Sequence, residues 1–201
     1  MVTYYAAMGK YRLEQFDCGS RPVVLIAGNE YGVTIPEYIL WNALLWNILN
    51  YDALRTDCLQ KARRFHIPMA EADFDRTLER LLFRGLIRKG QGFTGAAALQ
   101  ELFREVCLIP IRLSPLQKMK GFLGLLLDGY PLRVARHILG PDRLSNEEKA
   151  LLNTLLVCPA LSPSVPQLLP AAANLYLKRM VVLEREEYSR EGWFGYIRHE
   201  I

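Results

Sequence analysis

The sequence is poor in the residues that build metal centres and covalent frameworks. Its four cysteines, Cys18, Cys58, Cys107 and Cys158, are scattered, with no C-x-x-C pair and no histidine at ligand spacing. That argues against a zinc site or a disulfide framework and leaves buried, reduced thiols. The three histidines, His66, His137 and His199, stand alone, with no carboxylate at triad or metal spacing. Each reads as a surface or capping residue. No nucleophile elbow, P-loop or dinucleotide glycine run occurs, so an enzyme is not expected, and neither is a cofactor.

Long apolar runs are missing as well. Tyr38 to Leu49 is broken by two asparagines and Gly121 to Leu127 is stopped by Asp128, both short of the roughly 18 residues a membrane helix needs. They read as core helices, and no membrane partner is expected. The opening stretch MVTYYAAMGKYRLEQFD lacks the basic run and apolar core of a secretory signal, which points to a cytoplasmic protein. Nor is one sign of charge in excess: 25 basic and 21 acidic residues give a net charge of +4. That balance permits contact with nucleic acid without arguing for it.

What is present is a 51% hydrophobic chain of 201 residues, enough for one large core or two small ones. In RPVVLIAGNEYGVTI, β-branched and apolar residues flank Gly28-Asn29, which predicts a hairpin of Val23 to Ala27 against Tyr31 to Ile35. Pro36 suits a first helical turn and Glu37 complements the dipole there, opening a helix that carries Ile39, Leu40, Ala43, Leu44, Trp46 and Leu49 inward. A second helix is expected from Ala53 to Phe65, ended by His66-Ile67-Pro68. A third runs from about Ala70 to Arg84, with Phe74, Leu78, Leu81 and Leu82 inward.

After that helix, LLFRGLIRKGQGFTG predicts a stop at Gly85, a strand from Leu86 to Lys89, a tight turn at Gly90-Gln91-Gly92 and a return strand from Phe93. Further on, Val106 to Arg143 reads as connecting helices. Among them is one from Pro115 to Asp128 opened by the box Ser114-Pro115-Leu116-Gln117, and a shorter one from Leu132 to Leu139 follows. Ser145-Asn146-Glu147-Glu148 is a second such box, for a helix through about Val157. The last part reads as a helix from Ala171 to Arg179 and a hairpin of Val181 to Glu187 with Trp193 to His199. Its frame LKRMVVLE beside LFRGLIRK hints at a degraded repeat of the first module.

The frame LERLLFRGLIRKGQG, within Pro36 to Thr94, resembles the winged helix-turn-helix domains of bacterial transcription regulators, the broad group that includes the MarR-like and PadR-like families. The expected class is α+β, mainly α. Residues 1–35 form an N-terminal hairpin extension, 36–105 a winged helix-turn-helix domain, 106–143 a helical connector and 144–201 a degenerate second winged-helix-like domain.

The resemblance implies a DNA-binding transcriptional regulator on double-stranded DNA, with the third helix in the major groove. A homodimer through Pro115 to Asp128 is expected with it, and a small-molecule effector is left open. Arg55, Lys61, Arg63, Arg64, Arg88 and Lys89 would contact phosphates, and Arg76 and Arg80 would read bases. The early exposed positions of the third helix, however, are Glu71, Ala72, Asp73, Asp75 and Arg76, a poor match to a polyanion. A rival reading therefore stands beside the first: a tandem winged-helix adaptor that binds protein in a chromosome-organising or replication complex. Trp41, Trp46, Tyr51 and Phe65 read as core before they read as a ligand pocket.

Overall fold

The computed structural model describes residues 1–16, 19–111, 144–157 and 166–185. Among them are six helices and three small antiparallel sheets, an α+β arrangement. The helices expected at Pro115 to Asp128 and Leu132 to Leu139, the proposed dimer surface, the return strand from Trp193 and the residues Cys18, Cys158, His137 and His199 lie outside the described residues.

The chain opens with β1 (Val2–Ala7), β2 (Lys10–Phe16), β3 (Gly19–Ile26) and β4 (Asn29–Gly32). Strands β2, β3 and β4 form one sheet in that order. The expected hairpin is real but shifted by one residue. Ile26 pairs with Asn29, so the turn residues are Ala27 and Gly28, both with positive φ (52° and 79°). Such a turn matches the twist of the flanking strands, and Ala27 tolerates it at a cost of about 1–2 kcal/mol. The second strand ends at Gly32, because Thr34 already caps the next helix.

Helix α1 (Ile35–Leu44) starts on a full capping box: Thr34 accepts from the Glu37 amide while Glu37 accepts from the Thr34 amide. It stops sooner than the apolar periodicity implied, since Trp46 takes φ 58° and Leu49 bridges to Tyr5. Asn50 caps α2 (Tyr51–Arg64), and His66, at φ 55°, closes it. Helix α3 (Glu71–Phe83) ends at Gly85, whose φ of 66° lets Gly85 and Leu86 return hydrogen bonds to the Leu82 and Leu81 carbonyls.

The tight turn expected at Gly90-Gln91-Gly92 is not formed. Those residues continue strand β5 (Ile87–Gly92), which pairs with β1 from Val2 against Gly92 to Ala7 against Ile87. Gly90 is buried under α4 (Gly95–Leu102), where a Cβ would overlap the Ala98 carbonyl oxygen. The glycines thus serve close helix packing rather than a reversal, and the return strand expected from Phe93 is replaced by α4. Val106 to Pro110, expected as connector helix, is strand β6 (Val106–Pro110), paired with β7 (Val181–Arg185).

Between β6 and β7 come α5 (Asn146–Val157) and α6 (Leu169–Leu177). The box before α5 forms as expected, with the Ser145 amide donating to Glu148 and the Glu148 amide to the Ser145 hydroxyl. At the end of α6, Arg179 takes φ 62° and the Arg179 and Met180 amides return to the Tyr176 and Leu175 carbonyls. The α6–β7 corner therefore copies the α3–β5 corner, with Arg179 in the place of Gly85, one residue off the frame that the sequence offered.

One apolar core joins these parts. Trp41, Phe74, Leu81, Leu86 and Phe103 of the first half and Tyr176, Val181 and Leu183 of the second all belong to it. The Tyr176 hydroxyl, fully buried, lies 2.9 Å from the Leu44 carbonyl oxygen and 3.2 Å from that of Ala7. Cys58 and Cys107 are buried, and burial pushes the Cys58 thiol up to about 12. No helix among the described residues is long and apolar enough to cross a membrane.

Candidate functional site

A helix that reads DNA needs cations free to leave the protein surface. On α3 they are engaged. Arg80 and Arg84 both reach back to Glu37 on α1, with guanidinium nitrogens 2.9 and 3.0 Å from its Oε1. Arg76 pairs with Asp73 at 3.8 Å, and Glu71 is taken by Arg55 of α2. Asp75 accepts from the Tyr51 hydroxyl. Elsewhere Lys61 pairs with Asp57 at 2.7 Å, and Arg88 donates to the Arg104 carbonyl at 2.9 Å and lies 3.3 Å from Glu105. Arg63, Arg64 and Lys89 are exposed and form no ion pair among the described residues. Of the eight cations expected on DNA, the other five have a partner among the described residues.

The centre of this network is Glu37, only 2% exposed. Its Oε2 accepts from the Thr34 amide (2.7 Å) and hydroxyl (2.9 Å), and its Oε1 takes the two arginines. Burial alone would raise its pKa. The Thr34 hydrogen bonds and the two guanidinium charges outweigh that, and the carboxyl titrates below its ordinary range. Sequence reasoning credited Glu37 with a dipole role only. The T-x-x-E spacing of Thr34 and Glu37 was the available signal for the box; nothing local announces Arg80 and Arg84, 43 and 47 residues away.

Arg84 carries the network on to the sheet. Its Nη2 donates to the Gly32 carbonyl at 2.8 Å, and its guanidinium lies 6.0 Å from the Tyr31 ring centroid. In a two-residue hairpin the Ile26–Asn29 pair is hydrogen-bonded, and the pairs alternate from there. The N–H and C=O of Glu30 and of Gly32 therefore point away from β3. Since Gly32 meets Arg84 on that side, this edge of β4, which pairs with no further strand among the described residues, looks toward the last turn of α3. Phe83 lies in that turn at 93% exposure, and Ile35 at the start of α1 is 57% exposed.

The back of the hairpin is held by the second half. Glu184 on β7 is 6% exposed, and its Oε2 accepts from the Ala27 amide at 2.7 Å. Burial pushes this carboxyl up to about 7, against the opposing Ala27 hydrogen bond and the charges of Lys10 and Arg185. The folded chain thus keeps a proton that the unfolded chain releases near 4.5, so this contribution to stability is full below 4.5 and is lost as pH rises to about 7. Glu184→Gln should flatten the melting-temperature profile over that span; an unchanged slope would show that Glu184 does not titrate there.

The aromatic residues considered for a pocket part company. Trp41 is fully buried with its indole donating to the Met8 carbonyl at 3.1 Å, Tyr51 meets Phe74 edge to face, and Phe65 is exposed. Trp46 is half-buried under the Arg179 guanidinium, 5.5 Å from its ring centroid. No family model, curated protein or solved structure matches the chain.

Proposed function

We propose that this chain is a protein-binding adaptor of winged-helix-like build that holds an extended segment of its partner along β4, beside α3. The build is inferred from three helices followed by a two-stranded ribbon, in which β1 stands where a returning wing strand would be. The observation that carries the binding reading is the β4 edge, which no further strand covers among the described residues and where the Glu30 N–H and C=O and the Gly32 N–H point outward, beside a helix turn that bears an exposed phenylalanine. An unpaired edge offers main-chain hydrogen bonds to an added strand, and an apolar side chain beside it offers a pocket wall. The acids Glu71, Asp73, Asp75 and Glu79 make α3 a poor surface for a nucleic acid, and Glu79, exposed one turn before Phe83, favours a basic residue on the partner beside the apolar one.

Selection from a displayed random peptide library should enrich segments alternating apolar with basic residues. Glu30→Pro tests the mode of binding, because it removes an outward N–H while leaving the β3–β4 pairing intact. It should weaken the selected peptides at least tenfold, as should Phe83→Ala. Failure of any peptide to be enriched, or full affinity in both variants, would end the proposal.

A second reading, the DNA-binding regulator, is favoured by Arg63, Arg64 and Lys89, which are exposed and form no ion pair among the described residues. It requires duplex binding that weakens steeply between 50 and 200 mM salt, with a slope reduced by about one unit per phosphate contact removed.

A further inference from the structure

Both ends of β4 are referenced to one place, two adjacent residues of β7. At its start, the Ala27 amide in the turn donates to Glu184. At its end, the Gly32 carbonyl is held by Arg84, and the Arg84 carbonyl in turn accepts from Arg185 Nη2 at 3.1 Å. Neighbouring side chains on a strand leave on opposite faces, so one strand can serve the hairpin turn with one residue and the end of α3 with the next. Gly85 makes room for this: a Cβ there would overlap the Arg185 guanidinium. The glycine that ends α3 is thus also the gap through which the second half reaches it.

We infer that Glu184 and Arg185 are positioning residues, through which the β6–β7 half sets the spacing between the β4 edge and α3 and thereby the affinity for the partner strand. The inference rests on the adaptor reading for its consequence, but its physical content can be read in the free protein. Without Glu184 the turn end of β4 loses its anchor; without Arg185 the α3 carbonyl is orphaned and the far end loosens. Each variant should therefore release a different end of one strand.

Amide hydrogen exchange on the full chain tests this. Glu184→Ala should speed exchange at least tenfold at Ala27 and Asn29, and Arg185→Ala should do so at Tyr31 and Val33, with the amides of α2 unchanged in both. Glu184→Gln, which keeps an acceptor for the Ala27 amide, should restore the parent rates. A uniform rise across α2 and β4, or no rise at all, would overturn the inference. Peptides selected on the parent should bind about tenfold more weakly to Glu184→Ala and normally to Glu184→Gln; equal affinity for all three would also overturn it. If the parent selects no peptide, the adaptor reading fails while the exchange pattern still decides whether β7 sets the position of β4.

Discussion

Glu37→Ala should lower the unfolding free energy by about 2–4 kcal/mol, measured by urea denaturation. Breaking a buried ion pair by removing one partner costs roughly 3–5 kcal/mol because the other charge is stranded. Here the stranded group is Arg84, 25% exposed, while Arg80 at 57% can take up water. That moves the expected cost to, and partly below, the lower end of that range. The cap is a smaller share, since Thr34→Ala should cost only about 1 kcal/mol. Acid provides a second check. The Glu37 carboxyl titrates below its ordinary 4.5, so its stabilisation is present above that pH and is lost as pH falls through the depressed folded value. The parent should lose this increment in acid and Glu37→Ala should not. A loss under about 1 kcal/mol would mean that the four hydrogen bonds to Glu37 merely replace those of water.

Gly9→Ala should be at least as damaging, at about 2–5 kcal/mol. The left-handed conformation, φ 76°, costs an L-residue about 1–2 kcal/mol. A Cβ would also overlap the Leu25 carbonyl oxygen and the Ile26 side chain, and relieving such overpacking typically costs about 1–3 kcal/mol. The backbone cannot shift freely, because the Met8 amide is held by Leu86 and the Gly9 amide by Leu183. Gly28→Ala is the control, since φ there is 79° with nothing within 4 Å of the added methyl. It should show the backbone cost alone. Equal losses in the two variants would remove the steric part of the account.

The two sites differ in how far the sequence revealed them. Helices α1, α2 and α3, the stop at Gly85 and the Ser145–Glu148 box were legible because each depends on residues within a turn or two. Strand β1 was not, since its partner lies at Ile87 to Gly92 and nothing in VTYYAA specifies that. The same distance misled the interpretation of Gly90-Gln91-Gly92. Paired glycines signal a turn locally, whereas here they admit the backbone of α4, a contact visible only in three dimensions. At the candidate site Arg80 looked like a base reader because it is exposed on α3, and its carboxylate partner sits on another helix. The resemblance to a winged helix pointed to those cations by their positions, whereas what each of them binds is decided by packing.

The pairing of β1 with β5 also bears on how the chain acquires its structure. The ribosome makes Val2 long before Gly92, and at roughly 5–20 residues per second β1 waits on the order of ten seconds for its partner. The wait recurs for β6, whose partner begins only at Val181. During each interval an apolar strand has two unsatisfied edges and is open to pairing with another nascent chain. Folding speed should follow the closure of these two long loops rather than the formation of the helices between them. Yield in a cell should accordingly depend more on chaperone supply during synthesis than on the stability of the finished protein.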